Sequence, residues 1–155
     1  MRKLGCLTVL AVAVIAIAMR VSDRKEEIVA ERKAEEVARG YTEIASKKIP
    51  NGGKTRILLI APEDRNEKFL RALGDRLKDE AARDRNAFIR VYANPEAAEV
   101  QKAQMDQAQV TEADDKASSM HFVAFYTKNG NTGHHTYTIA LDGFGALKPT
   151  IEVKY

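Results

Sequence analysis

The feature that most constrains this chain is a long apolar block near its N-terminus. Residues 4–19 carry no charge, follow a short cationic start and are closed by Arg20. As a helix with ~1.5 Å rise per residue, the block measures roughly 24 Å, somewhat less than the ~30 Å hydrocarbon core of a bilayer. Val21 and the long side chains of Lys3 and Arg20 extend its reach. The block therefore predicts engagement with a membrane and its lipids.

Two interpretations of the block remain open, a retained anchor and a cleaved signal peptide. Residues 16–18 (Ala-Ile-Ala) have the small-x-small pattern of a cleavage site, and cleavage there would start the mature chain at Met19. The block nevertheless exceeds the usual ~7–15 apolar residues of a signal peptide, and no polar region precedes the site. Residues 1–21 are therefore a transmembrane anchor, which we favour, or a cleaved signal segment. A lipoprotein signal is excluded, because its apolar stretch precedes the cysteine, whereas here it follows Cys6.

The position of the anchor also predicts where the rest of the chain lies. Basic residues flank the block on both sides, so counting them does not decide its orientation. A very short tail ahead of a first apolar segment usually stays inside. We therefore expect a single-pass protein of the bacterial inner (cytoplasmic) membrane, with its C-terminal domain outside the cytoplasm.

Charge and cysteine content exclude several classes of function. The 25 basic and 22 acidic residues are interleaved, and no basic stripe with interleaved aromatics is present. The electrostatic footprint of a nucleic-acid binder is thus missing, and no nucleic-acid partner is expected. Cys6 is the single cysteine, which makes an intramolecular disulfide or a cysteine-based metal site impossible.

Residues 22–49 predict a connecting helix that continues from the transmembrane helix as a stalk. Its apolar residues fall at spacings of three and four and form one narrow seam: Ala30, Ala34, Val37, Tyr41 and Ile44. One interpretation of this seam is a parallel coiled coil that makes a homodimer. The other, which we favour, is a solvated stalk or a helix packed on its own domain, because the seam is mostly alanine and spans only about two heptads.

Residues 50–155 predict one small α/β domain of the α+β class. The predicted order is β-α-β-α-β-β-β, in a mixed sheet with helices on one face. The strands are expected at residues 55–61, 87–93, 121–128, 134–141 and 150–155, with helices from Asp64 to about Arg83 and from Pro95. The first strand is a continuous apolar run, as expected of a strand that is buried on both faces. Residues 111–119 are polar and are expected to form a loop.

Asn129-Gly130 predicts a tight hairpin turn, and alternation along the hairpin separates a core side from an outer side. The core side is expected to hold Phe122, Tyr126, Tyr137, Ile139 and Leu141. The half-apolar outer side is the candidate face for docking another protein, and it holds Val123, Phe125, His134, Thr136 and Thr138. A merely solvated threonine-rich face is the alternative. The last strand, as a free edge, could also accept a strand from a partner.

Neither a metal site nor a catalytic site is expected. His134 and His135 are neighbours in a strand and point to opposite faces, so they cannot chelate one ion together. His121 is expected on the order of 13 Å from His134. Ser118 and Ser119 lie in a polar segment without an orienting acid. We therefore predict no catalytic residue, no metal ligand and no cofactor.

Three segments between Arg56 and Ala140 carry a resemblance to known proteins: RILLIAPE, RVYANPEAA and a hairpin with an Asn-Gly turn. In these segments the chain resembles small bacterial envelope domains of unknown function that follow a lipid or membrane anchor. The resemblance implies an α/β domain beside a membrane and implies no catalytic residue.

Together these features predict a non-enzymatic membrane protein. It would be an accessory subunit of an envelope assembly whose extracytoplasmic domain binds another protein. Two alternatives remain, a processed secreted or periplasmic ligand-binding module and an enzyme of unrecognised type.

Overall fold

The computed structural model of the chain describes residues 24, 28, 38–50, 52–144 and 149–155. The predicted anchor, most of the connecting helix, and Ala30, Ala34 and Val37 of its seam lie outside the described residues. The chain divides into two compact units, residues 1–39 and 40–155. In the part of the chain that the structure describes, no helix is long and apolar enough to cross a membrane.

The second unit contains, among its described residues, six strands and three α-helices. The strands are β1 (Thr42–Ile49), β2 (Gly53–Leu59), β3 (Asn86–Tyr92), β4 (Phe122–Asn129), β5 (His134–Ile139) and β6 (Ile151–Lys154). The helices are α1 (Glu67–Glu80), α2 (Pro95–Met105) and α3 (Glu112–Ser119). The strands lie in chain order in one sheet, in which β2 and β3 are parallel and all other neighbours are antiparallel. The prediction of an α+β fold with a mixed sheet is therefore confirmed.

The larger core lies between α1 and one face of the sheet. Asn66 begins the helix by accepting a 2.9 Å hydrogen bond from the backbone N–H of Phe69. At the other end, Lys128 Nζ donates to the carbonyl oxygens of Ala81 and Ala82, at 2.9 and 3.0 Å. The buried side chains of this larger core include Leu58, Leu70, Leu77, Ile89, Val91, Tyr126, Tyr137 and Ile139. α1 thus fixes the hairpin of β4 and β5 as well as the parallel pair.

The prediction that the helices lie on one face is wrong, because α2 packs on the opposite face, over β1, β2 and β3. There Ala97 and Ala98 of α2 form a second buried cluster with Ile57 and Tyr92. Ile57 and Leu58 are neighbours in β2, and both are fully buried because they face opposite helix layers. A central strand that is apolar on both faces requires a cover on both faces.

The prediction of a helix up to residue 49 is also wrong, because Thr42–Ile49 is strand β1. Ala38 and Arg39 are helical, and Gly40 ends them with φ of +72°, a conformation that glycine adopts without strain. β1 then pairs antiparallel with β2. Since the second compact unit begins at Gly40, the domain begins ten residues earlier than predicted.

The change at β1 also removes two residues from the proposed dimer seam. Tyr41 is 4% exposed and lies in the core beneath α1, and Ile44 packs against the second cluster. Both side chains therefore contact the domain's own interior. Of the described residues of the seam, neither Tyr41 nor Ile44 therefore lies on a helix.

A polar network holds the start of β1 to β2 and α1. The guanidinium of Arg56 donates to Glu43 at 2.5 Å, to Glu80 at 2.8 Å and to the Tyr41 hydroxyl at 2.9 Å. The Tyr41 hydroxyl in turn donates to the Glu80 carboxylate at 2.7 Å. Burial disfavours the charged guanidinium, but these bonds outweigh it and raise the pKa of Arg56. We call these four residues the Arg56 network.

Residues 111–119, predicted as a loop, contain α3. Thr111 begins this helix, since its hydroxyl accepts a 3.2 Å hydrogen bond from the backbone N–H of Asp114. Acidic residues in the first turn also favour a helix N-terminus. Little in the pattern of residues indicates α3, because only Ser118 among them is buried and no apolar period is present.

Candidate functional site

The predicted docking residues of the hairpin do not all reach the surface. Val123 is fully buried in the core beneath α1, Thr136 is 8% exposed, and His134 is exposed. Phe125 and Thr138 are half-buried and lie side by side in the β4–β5 pair. Four of the five predicted residues therefore share one side of the sheet, and Val123 does not belong with them.

A β-bulge explains the error at Val123. Val91 of β3 pairs with Ala124, whereas the next residue, Tyr92, pairs with Phe122, so Val123 is an extra residue in β4. One extra residue reverses the faces on its N-terminal side. Phe122, predicted in the main core, stacks instead on Tyr92 on the α2 side of the sheet, with ring centroids 5.3 Å apart. The other predicted core residues, Tyr126, Tyr137, Ile139 and Leu141, do pack in or against the core beneath α1.

The α2 side of the sheet is covered unevenly. Within the described residues, the helix contacts on this side go mainly to β1, β2 and β3. The remaining half of the face presents two cross-strand rows, which we call the open face. One row runs through Arg90, Phe125, Thr138 and Glu152, and the other through Phe88, Thr127, Thr136 and Lys154. Its centre is aromatic and threonine-rich, and its outer edge on β6 is charged.

A cluster of three phenylalanine rings lies at the border between the covered half of the sheet and the open face. The Phe122 ring stacks on Phe144 at 4.4 Å and meets Phe125 edge-on at 6.0 Å. All three phenylalanines are half-buried, so part of each ring stays accessible to solvent. Aromatic surface in a fixed geometry is characteristic of protein-binding patches.

The histidines of β5 lie on opposite faces, as predicted. His134 lies beside Thr136, with 3.0 Å between its Nε2 and the threonine hydroxyl. His135 faces the α1 side, where its Nε2 forms a hydrogen bond with the Tyr126 hydroxyl and its ring lies 5.1 Å from that of Tyr155. Among the described residues, no group of three metal-ligating side chains comes together.

The electrostatics around His135 keep this pair neutral near neutral pH. Burial lowers the pKa of His135, and the neighbouring charges of Lys128, Lys78 and His134 lower it further. Burial also raises the pKa of Tyr126 to about 12. The two groups are thus stabilised as neutral partners in a hydrogen bond, an arrangement suited to packing rather than to proton transfer.

This arrangement predicts acid sensitivity. Below about pH 6.5 an unfolded histidine takes up a proton that folded His135 resists, so the free energy of unfolding falls as the pH falls. We expect His135→Gln to flatten the dependence of Tm on pH between about 7.5 and about 5. Lys54→Ala, at an exposed position of β2, removes no group that acts on His135 and should keep the wild-type slope. An unchanged slope in His135→Gln would contradict the assignment.

A groove between α2 and α3 is a second surface feature, and sequence reasoning missed it. Its volume is about 530 Å³, and its wall includes Val100, Ala103 and Val110 together with the carboxylates of Glu96, Glu99 and Asp114. We call it the α2–α3 groove. A smaller cavity of about 150 Å³ shares Glu96, Val100 and Asp114 with it and extends to Ser118 and His121.

The groove exists because α3 has too few large side chains to fill it. Its residues are EADDKASS, and its buried contact is Ser118, whose hydroxyl donates a 3.0 Å hydrogen bond to the carbonyl oxygen of Ala97. This bond draws α3 to α2 at one end. Because the Ser118 hydroxyl binds a backbone carbonyl, the packing of the two helices explains the position of this side chain. The sequence signal for the groove is the absence of any large apolar residue in α3.

Comparisons with known proteins add no relative. No protein-family model matches this chain, and neither a curated protein nor a solved structure is significantly similar to it. The features of this chain that bear on function are therefore the open face, the α2–α3 groove and the N-terminal sequence.

Proposed function

We propose that this chain is a non-enzymatic accessory subunit that binds another protein at a bacterial inner membrane. Its N-terminal apolar block holds it there, and its α/β domain lies outside the cytoplasm. The open face is the docking surface in this proposal. The partner is a protein that places apolar side chains against the phenylalanines and threonines of this face.

The observation that carries the proposal is the half-covered sheet. A sheet face that packs on nothing is normally polar along its whole length. Here Phe125 lies at the centre of the open face, and Phe144 and Phe122 lie at its border. Covering these partly exposed rings removes apolar area from water, at about 25 cal/mol per Å². The threonines beside them add methyl groups and hydroxyls without the desolvation cost of charges.

The N-terminal sequence supports the membrane part of the proposal. Residues 4–19 are uncharged and are followed by the charged residues of 20–39. A domain tied to a membrane surface meets its partner at a high effective concentration, so a modest docking surface is sufficient for association.

The test is co-purification of the full chain from detergent-solubilised membranes. We expect a stoichiometric partner with the wild type and its loss with Phe125→Ala/Thr138→Ala, while circular dichroism shows an unchanged fold. Thr132→Ala, on the exposed hairpin turn, is the matched control and should retain the partner. If the double variant retained the partner, or if the wild type had none, the docking proposal would be contradicted. An intact mass that corresponds to a chain starting at Met19, for protein soluble without detergent, would contradict the anchor.

A further inference from the structure

The charge of the domain is unevenly distributed, and its acidic part surrounds the α2–α3 groove. Residues 94–120 carry six acidic and two basic side chains, a net charge of −4, although the whole chain has a net charge of +3. Glu96, Glu99 and Asp114 belong to this group and line the groove. The groove is therefore the centre of an acidic region on an otherwise basic chain.

These carboxylates remain available to a partner. Glu99 forms an exposed 3.2 Å ion pair with Lys102 on its own helix, an interaction of little strength. Asp114 accepts a 2.6 Å hydrogen bond from the Thr111 hydroxyl at the start of α3. Glu96, Glu99 and Asp114 are all exposed. Cationic groups arriving from solvent can reach each of them.

The floor of the groove is apolar and incompletely covered. Val100, Ala103 and Val110 are half-buried, and α3 offers no large side chain to cover them. α2 has 11 residues, so it is roughly 16 Å long, about three helical turns. An apolar floor beside a helix of this length, with acids along the rim, complements a helix that has an apolar stripe and basic flanks.

We propose that the α2–α3 groove binds a basic amphipathic helix of a partner protein. Leucine-sized side chains at i, i+3 and i+7 of that helix fill the space above Val100 and Ala103, and its lysines or arginines pair with Glu96, Glu99 and Asp114. The inference depends on the proposed protein-binding function and names the chemistry of one partner segment. It uses a surface other than the open face.

The probe is a labelled model peptide of leucine and lysine with this spacing, about five helical turns long. Fluorescence anisotropy measures its binding to the full chain in phosphatidylcholine nanodiscs, with empty nanodiscs as the background. Saturable binding that weakens as salt rises is expected, because the contacts are charged and lie near the surface. A matched peptide of leucine and glutamate should not bind.

Two triple variants distinguish an effect of carboxylates inside the groove from an effect of the net charge of the chain. Glu96→Gln/Glu99→Gln/Asp114→Asn should weaken binding about tenfold. Glu63→Gln/Glu67→Gln/Asp79→Asn changes the net charge equally, at exposed sites outside both the groove and the open face, and should leave binding within about twofold. Ala103→Trp, which fills the floor, should also weaken binding, with a circular dichroism spectrum like that of the wild type.

Several results would overturn the inference. Equal binding by the two triple variants, or by the acidic peptide, would show that the groove does not select the probe. A change in the sedimentation of the full chain with Ala103→Trp would show that a second copy occupies the groove instead. If a partner is lost with Phe125→Ala/Thr138→Ala but the groove variants bind the peptide normally, the proposed function stands and this inference fails.

Discussion

Replacing Gly53 with alanine is expected to lower the free energy of unfolding by about 3 kcal/mol, a fall in Tm of about 10 °C or more. Gly53 begins β2 and pairs with Asn86 of the parallel neighbour β3. A Cβ at this position would lie 1.9 Å from the Asn86 carbonyl oxygen, far inside van der Waals contact. The obstacle is a backbone atom, so no side-chain rotation relieves it.

The strain spreads because the same corner holds several backbone contacts. The Gly52 carbonyl oxygen accepts hydrogen bonds from the N–H groups of Arg85 and Asn86, at 3.0 and 3.2 Å. Moving β3 away from β2 lengthens both bonds. Thermal unfolding followed by circular dichroism measures the effect. Lys54→Ala, at the next, exposed position, is the control and should change stability by less than about 0.5 kcal/mol. A Gly53→Ala protein as stable as this control would contradict the close approach.

Replacing Arg56 with methionine is expected to cost about 2 kcal/mol of stability. The Arg56 side chain is 12% exposed and is the only cation of the Arg56 network, in which it donates to Glu43, Glu80 and Tyr41. Methionine keeps most of the packing volume but removes the cation from Glu43 and Glu80, and leaves Glu80 with the hydrogen bond from the Tyr41 hydroxyl. Glu43 and Glu80 are 37% and 30% exposed, so water partly replaces the lost bonds and the cost stays below that of a fully buried pair.

Arg71→Met is the matched control for this change. Arg71 pairs with Glu67 at 2.7 Å within α1, but both side chains are about half exposed. Surface pairs of this kind contribute less than about 0.5 kcal/mol, so urea unfolding should separate the two variants clearly. Equal midpoints for Arg56→Met and Arg71→Met would show that the network is not a stabilising unit.

The hydrophobic pattern and the cap and turn residues predicted the elements that depend mainly on neighbouring residues in the chain. The apolar run at 55–61, the helix start at Asn94-Pro95 and the hairpin around Asn129-Gly130 all lie near where they were expected. The helix start agrees with its cap residue, whereas the hairpin turn spans residues 130–133 and is longer than the predicted tight Asn-Gly turn, with its positive φ at Gly133. The α+β class follows from the order of these elements.

The predictions were wrong, or missed a feature, where contacts between distant parts of the chain determine the structure. Tyr41 and Ile44 continue a helical spacing, yet pairing with β2 and burial of Tyr41 make that segment a strand. The bulge at Val123 is set by β3, which alternation within β4 does not reveal. The α2–α3 groove depends on the contact between two helices, one of which has no apolar period.

The Arg56 network has a mechanical consequence. The polypeptide that comes from residues 1–39 joins the domain at Gly40, and β1 is the first element that it meets. Any tension along that connection acts on Tyr41 and Glu43 before it reaches the rest of β1. Arg56 and Glu80 bind these two residues and so hold the start of this edge strand in place. Their loss would let β1 peel from β2 one residue at a time.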